Sequence, residues 1–154
     1  MFCCFFVNMR LRNSFESNLK IKLALQMLDY NSRTYELAIG ENGETITTTI
    51  DDKLLSGALM HHSKRPDGFR PAEAQIRDCF DELFNNFERF EHYIEAGLVT
   101  ITDIRPYLDY WFNILGNRRS GRKPEEFYKS LRSYLRGYGY DDVELLVSRF
   151  VKPS

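Results

Sequence analysis

The longest regular pattern of hydrophobic and polar positions in the chain extends from 71 to 115. Large apolar residues recur there at spacings of three and four in two stretches, as on one face of an α-helix. The first stretch contains Ile76, Phe80, Leu83, Phe87, Phe90 and Ile94, and the second contains Ile101, Ile104, Leu108, Trp111 and Leu115. Gly97 favours a left-handed helix end between them. The pattern predicts two antiparallel helices whose aromatic residues form their common seam, with a ligand pocket as the alternative.

The ends of these two helices are marked by residues that favour helix starts. Pro71 fits the first turn of the first helix. Thr100, Thr102 and Asp103 each offer a cap for the second helix. If Asp103 is the cap, Pro106 falls in the first turn, where its missing N–H leaves no hydrogen bond unmade.

Two further helices are predicted in the first half of the chain. Residues 14–29 begin with Ser14 as a candidate N-cap and are rich in helix-favouring residues. Their apolar positions also alternate, so a strand is the alternative. Asp51 or Asp52 is then placed to cap a helix that continues through His62.

Two helices are predicted at the C-terminal end. Pro124 opens the first of these and Gly137 closes it. Asp141 and Glu144 have the spacing of a capping box at the start of the second. The apolar positions expected to face inward are Phe127, Leu131, Tyr134 and Leu135 on the first helix and Val143, Leu146, Val147 and Phe150 on the second.

The segment 34–50 has a different pattern. Two β-prone runs, 34–39 and 44–50, flank the sequence Gly-Glu-Asn-Gly, in which Asn42-Gly43 is favourable for a turn. The sequence therefore predicts a mainly α fold, a compact bundle of five or six helices with a small β-hairpin near 34–50. The expected organisation is a single helical domain at 14–152 preceded by an apolar segment at 1–13.

Composition and charge narrow the class of protein. The chain has 154 residues and a net charge of -1, which offers no global attraction to nucleic acid or membrane. Its three cysteines do not form a disulfide framework, so a cytoplasmic location is expected. Residues 71–111 are acidic and 112–154 are basic. The two regions can attract each other, although two separate solvated faces are the favoured interpretation.

The N-terminal sequence MFCCFFV is apolar but too short to span a bilayer. Arg10 and Arg12 follow it, so the segment also suits peripheral contact with anionic lipid. The favoured alternative is that Phe2, Phe5 and their apolar neighbours pack on the bundle. The sequence leaves both hypotheses open.

One loop is rich in basic residues that could bind an anion. Arg118, Arg119, Arg122 and Lys123 lie within six residues and precede a predicted helix N-terminus, which favours anions. The acidic residues after Pro124 oppose that preference. The four basic residues are the candidates for binding an anion or a partner.

No catalytic, metal or cofactor motif is present. The His61-His62 pair is the nearest approach to a metal site, but neighbouring helical residues point about 100° apart. Cys79 and His92 lack zinc-ligand spacing. An enzyme with a pocket lined by Tyr107, Tyr110, Tyr128 and Tyr134 is the least favoured hypothesis.

The run FNNFERFEHYIEAGLVTITDIRPYLDYW, within residues 72–115, resembles the helical part of an uncharacterised bacterial family. In that family a membrane helix is followed by a helix, a Gly-Leu turn and a helix ending in Tyr-Trp. YLRGYGYDDVELLVSRF is a looser echo of the same pattern. The resemblance implies a helical domain and no catalytic residue, and this chain departs from it by lacking a full membrane helix.

The pattern as a whole favours a non-enzymatic interaction or regulatory domain whose partner is an unidentified protein. Nucleic-acid or anion binding through 118–123 is the alternative. Peripheral membrane contact is an additional hypothesis. No cofactor and no metal are indicated, and the oligomeric state is left open.

Overall fold

The computed structural model describes the backbone of residues 2–116 and 121–151 and the side chains of 6–116 and 121–150. This part of the chain forms seven α-helices and an antiparallel two-stranded hairpin, which confirms the predicted mainly α fold. The helices are α1 (Phe2–Ser17), α2 (Leu19–Asp29), α3 (Asp52–Ala58), α4 (Pro71–Glu95), α5 (Ile101–Leu115), α6 (Glu125–Gly137) and α7 (Asp141–Val151). The strands are β1 (Ser32–Ile39) and β2 (Glu44–Asp51), and a short 3-10 helix covers His62–Lys64.

The central helix of the fold is α4, which packs against α2, α3, α7 and β1. The predicted apolar stripe from Ile76 to Phe90 is buried, and Ile94 packs against it from a partly buried position. Cys79, Phe84, Asn86 and Glu91 are buried as well. The helix is therefore enclosed over more of its circumference than one stripe, because neighbouring elements contact it from several directions.

The end of α4 forms as predicted. Gly97 has φ 70°, in the left-handed region that glycine adopts without a Cβ clash. Its N–H donates to the Ile94 carbonyl at 3.0 Å, and the Leu98 N–H donates to the Tyr93 carbonyl at 2.9 Å. These two bonds form a Schellman motif, which closes the helix and turns the chain towards α5.

The start of α5 differs from one of the predicted alternatives. Thr100 is the N-cap: its Oγ1 accepts from the Asp103 N–H at 3.2 Å, and Asp103 Oδ2 accepts from the Thr100 N–H at 2.8 Å. The helix thus begins at Ile101, before Asp103. Pro106 consequently lies inside the helix, beyond the first turn, where its missing N–H removes one backbone hydrogen bond.

The predicted direct seam between α4 and α5 is largely replaced by contacts of both helices with α7. Phe112 is fully buried, and its ring centroid lies 4.9 Å from that of Phe87 on α4 and 4.5 Å from that of Phe150 on α7. Trp111, which the spacing assigned to the seam, is only partly buried. The error arises because α7 packs against both α4 and α5 and shifts the buried side of α5.

The N-terminal region contains two helices where the sequence predicted one. Ser14 lies inside α1, so its predicted role as an N-cap was wrong. Asn18 caps α2 instead, since its Oδ1 accepts from the Ile21 N–H at 3.2 Å. The helix α1 crosses the expected boundary between 13 and 14, and its buried residues Leu11 and Phe15 anchor it to the core.

The hairpin matches its prediction closely. Ile39 pairs with Glu44 across a four-residue loop, and Gly40 and Gly43 have φ 69° and 74°. Asp51 caps α3 through a 2.7 Å bond from the Leu54 N–H, as one alternative proposed. The helix ends at Ala58, however, before the predicted end at His62.

The C-terminal helices lie where the sequence placed them. Pro124 is the N-cap of α6, and Gly137 is its last residue. The predicted capping box of α7 does not form, because Asp141 is the first helical residue rather than the cap. Glu144 lies 3.3 Å from Arg136 and forms an ion pair with α6 instead.

Candidate functional site

An apolar cleft of about 300 Å³ opens at the surface between α6 and α7. Phe84 of α4 and the end of α5, Leu115 and Gly116, complete its lining. The α6 side contributes Tyr128, Leu131, Arg132 and Leu135, and the α7 side contributes Val143, Glu144, Val147 and Ser148. The helical stripes of α6 and α7 are therefore wider than the contact between these helices, and the uncovered part forms the cleft.

The charged residues of the cleft lie at its rim in ion pairs. Arg132 Nη2 is 3.5 Å from Glu125 Oε1, and Glu144 Oε1 is 3.3 Å from Arg136 Nε. The Tyr128 hydroxyl donates to the Ile114 carbonyl at 2.7 Å. The cleft thus offers apolar surface with a polar border.

Only part of the basic loop before α6 lies within the described residues. Arg118 and Arg119 lie outside the described residues. Arg122 Nη2 is 2.8 Å from Asp29 Oδ1 and also contacts the Tyr110 hydroxyl. This arginine therefore links the end of α2 to α5.

Lys123 forms the most buried ion pair of the loop. Its side chain is 0% exposed, and Nζ donates to Asp52 Oδ1 at 2.7 Å and to the Tyr30 carbonyl at 2.8 Å. Burial lowers the pKa of Lys123, and the contact with Asp52 opposes that shift. The Lys123 ammonium therefore joins α2, α3 and the start of α6 inside the protein. The role of the loop in binding an anion or a partner stays a prediction.

The histidine pair belongs to an aromatic cluster at the end of α6. The ring centroids of His61 and His62 are 4.1 Å apart, and His61 stacks on Tyr138 at 5.3 Å. The Tyr138 hydroxyl lies 2.8 Å from His62 Nδ1 and accepts from the His62 N–H at 3.1 Å. Arg77 lies 5.1 Å from the Tyr138 ring and donates to the carbonyls at the end of α3. The cluster joins α3, α4 and α6.

The four tyrosines of the enzyme hypothesis do not meet in one pocket. Tyr107 and Tyr110 are exposed on α5, whereas Tyr128 and Tyr134 are buried. The Tyr134 hydroxyl donates to Asp81 Oδ1 at 2.6 Å, away from the bond that Tyr128 makes. The Tyr128 and Tyr134 hydroxyls therefore make separate internal contacts.

The buried thiol of Cys79 is unsuited to nucleophilic chemistry. Desolvation raises the pKa of Cys79 to about 11, and only the thiolate is strongly nucleophilic. Among the described side chains, those of 6–116 and 121–150, no group of three or more histidine, cysteine or acidic residues is arranged to hold a metal ion. No helix in the same ranges is long and apolar enough to cross a membrane.

Comparison with protein-family models, curated proteins and solved structures found no match to this chain. The resemblance of residues 72–115 to a bacterial family therefore stays a prediction. The assignment of function rests on the surfaces of the molecule itself.

The cleft was not predicted from the sequence. Leu131, Leu135, Val143 and Val147 were all identified as inward-facing, but which part of each stripe stays uncovered depends on how α6 and α7 pack. The feature of the sequence that could have indicated the cleft is the high amphipathicity of α6. Its apolar face is wider than one neighbouring helix covers.

Proposed function

We propose that the protein is a non-enzymatic interaction domain whose α6–α7 cleft receives an apolar segment of a partner protein. The observation that carries this proposal is the cleft itself, an open apolar concavity of about 300 Å³. That volume suits one or two large apolar side chains. Interfaces concentrate their binding energy in such anchor side chains and the pockets that receive them.

The lining favours a protein partner over a small substrate. Sites for small ligands combine apolar walls with a few convergent polar groups that orient the ligand. Here the charged rim residues Arg132 and Glu144 are already engaged in ion pairs with Glu125 and Arg136. The cleft offers a concave apolar surface in which an apolar side chain of a partner protein can be buried. The proposal places the domain in the cytoplasm, because three cysteines without a pairing pattern suit a reducing compartment.

Peptide selection with a cleft-filling variant tests this function. Ser148 lies on the cleft wall, and its hydroxyl donates to a carbonyl of its own helix. Ser148→Trp is expected to fill the cleft. Ser17→Trp is the matched control, since Ser17 also donates to a carbonyl of its own helix but is exposed on α1.

A displayed peptide library is selected on the wild-type protein and then tested on both variants. Peptides with aromatic or aliphatic anchors are expected to bind wild type and Ser17→Trp, and to lose at least about tenfold in affinity for Ser148→Trp. The proposal fails if peptides bind all three proteins equally, or if none is selected. Melting curves establish that both variants are folded.

A further inference from the structure

The β-hairpin has two strands, so each strand has an outer edge without a neighbouring strand in the described part of the chain. The Asp52 N–H donates to the Asn31 carbonyl at 3.1 Å, one step beyond the Ser32–Asp51 pair. Bonded and non-bonded pairs alternate along an antiparallel ladder. The backbone groups of every second pair therefore point outwards, at Thr34 and Thr49, Glu36 and Thr47, and Ala38 and Thr45.

The outward groups of β2 are accessible. Thr45, Thr47 and Thr49 are exposed, and their side chains share the solvent face of the hairpin. Among the described residues, no backbone group outside the hairpin bonds to this stretch. The outer edge of β2 thus presents the backbone N–H and carbonyl groups of Thr45, Thr47 and Thr49 to solvent.

The outer edge of β2 also lacks the features that usually protect edge strands. Charged residues, proline and bulges normally prevent pairing with another chain. The segment Thr45–Ile50 contains no charged residue, proline or glycine, and its register with β1 is unbroken. β1, by contrast, carries Arg33 and Glu36.

The sequence of β2 suits antiparallel pairing with itself. A two-fold axis at Thr47 places this residue opposite Thr47 of the second copy. Thr45 then faces Thr49, Ile46 faces Thr48, and Glu44 faces Ile50. No like charges are opposed, and threonine pairs are favourable across strands. The same operation centred on Glu36 of β1 would oppose two carboxylates.

We propose that the outer edge of β2, Thr45–Thr49, pairs with the same edge of a second copy of this chain. The product is a symmetric dimer with a four-stranded antiparallel sheet, an isologous arrangement in which each copy uses the same residues. One strand pair buries less area than a standard protein interface, so the dimer dissociates on dilution. This contact is separate from the α6–α7 cleft, and Ser148→Trp leaves it unchanged.

Sedimentation equilibrium over a range of concentrations tests the proposal with two matched proline variants. Thr47→Pro removes an outward N–H of β2, and Glu36→Pro removes the outward N–H of its cross-strand partner on β1. Both leave the backbone hydrogen bonds between β1 and β2 in place, and Glu36→Pro removes only the side-chain bond from Thr45 Oγ1 to Glu36. Wild type and Glu36→Pro are expected to dimerise, and Thr47→Pro to remain monomeric. A monomeric wild type at all concentrations, or a dimer that persists in Thr47→Pro, overturns the proposal.

A charge-pairing experiment tests the two-fold axis without removing any backbone donor. Thr47→Lys and Thr47→Glu alone each oppose like charges at the axis, so each should be mainly monomeric. Their mixture pairs lysine with glutamate and should dimerise with a dissociation constant about fivefold lower than either variant alone. Equal dissociation constants for the mixture and the single variants would show that residue 47 does not face its own copy.

Discussion

At the scale of single residues, the contribution of each aromatic ring depends on its depth in the core. Phe87 and Phe112 are 0% exposed and their rings are in contact, whereas Trp111, next to Phe112, is only partly buried. Large aromatic side chains contribute most where truncation leaves a cavity that the surroundings cannot fill. The size of the side chain alone therefore does not predict which of these three residues contributes most to stability.

Alanine substitutions measure this difference. Phe87→Ala and Phe112→Ala are each expected to lower the free energy of unfolding by about 3–5 kcal/mol. Trp111→Ala should cost less than about 2 kcal/mol, because part of its ring is already in water. Urea denaturation of the three variants checks the order. A larger loss for Trp111→Ala than for Phe112→Ala would contradict the packing described for α5.

Glu91 is a second residue whose behaviour follows from burial. Its side chain is 0% exposed, and Arg149 Nη2 lies 2.6 Å from Oε1, yet neither carboxylate oxygen has a hydrogen bond of good geometry. Burial raises the pKa of Glu91, and Arg149 only partly offsets this. A raised pKa in the folded state means that this residue's contribution to stability is present at low pH and is lost as pH rises through that pKa.

Glu91→Gln removes this titration. The variant's free energy of unfolding relative to wild type is expected to increase as pH rises from about 4 to about 7. Glu95→Gln, an exposed carboxylate further along α4, controls for the loss of a charge. Denaturant melts at several pH values provide the measurement. If the difference between Glu91→Gln and wild type is constant with pH, the carboxylate is not held in the environment described.

At the scale of elements, close contacts at the end of a helix limit the size of the side chain that fits there. A Cβ added at Gly137 would lie 2.5 Å from His61 Cδ2. The His61 ring contacts both His62 and Tyr138, so a shift of the ring would disturb these two contacts. The glycine at the end of α6 therefore serves close packing, in addition to ending the helix.

Alanine at this position tests the close packing. In a helix, Gly→Ala ordinarily stabilises by up to about 1 kcal/mol. Gly137→Ala is expected to destabilise instead, and the double change Gly137→Ala with His61→Ala should recover stability relative to the sum of the single effects. Thermal melts of the four proteins in the cycle give the coupling. Additive effects would mean that His61 does not restrict residue 137.

The helix α1 has features that fit each of the two hypotheses for the N-terminal segment, packing on the bundle and contact with anionic lipid. Leu11 and Phe15 are buried and Val7 is partly buried, whereas Phe6 and Met9 are 56% and 44% exposed. The anchoring contacts thus lie towards the C-terminal end of the helix. Exposed apolar residues beside Arg10 form the combination that favours an anionic bilayer surface.

Deletion of residues 1–9 separates packing from membrane contact. Because Leu11 and Phe15 are retained, the melting temperature is expected to change little. Under the membrane hypothesis, full-length protein sediments with anionic vesicles at low salt and the deletion variant does not. A large loss of stability without any sedimentation of the full-length chain would favour packing alone.

At the scale of the whole molecule, long-range ion pairs connect regions that the sequence keeps apart. Lys123 and Asp52 are 71 positions apart in the chain, and Arg122 and Asp29 are 93 apart. Both pairs join the loop before α6 to the first 52 residues of the chain rather than to the acidic region 71–111. Arg149 with Glu91 is a described ion pair that does link the basic and acidic regions.

These internal pairs change how nucleic-acid binding is tested. Lys123→Ser is expected to cost about 3 kcal/mol, because it leaves Asp52 without its buried partner. Substituting all four basic residues would therefore confuse folding with binding. Arg118→Ser with Arg119→Ser tests the loop while keeping the buried pair. If the loop binds nucleic acid, gel-shift affinity falls steeply with salt and falls again in the double variant. Absence of any shift at low salt excludes this alternative.

Local signals in the sequence determined the elements of this protein. The helical spacing in α4 and α6, the glycine at 97, the hairpin turn and the proline before α6 each act within a few residues, so their conformational preferences are present before the chain is folded. Competing local signals explain two helix starts: Asn18 caps α2 although Ser14 was the predicted cap, and Thr100 is the one of three candidate caps that begins α5.

Only the tertiary structure decided how those elements share their surfaces. The burial of Phe112 rather than Trp111 depends on where α7 lies against α5, and the internal role of Lys123 depends on the meeting of α2, α3 and the loop before α6. The cleft exists because α6 and α7 leave parts of their apolar stripes apart. Each outcome is a property of two or more elements packed together, and hydrophobic attraction is non-directional, so the pattern along the chain specifies that a face is buried without specifying what covers it.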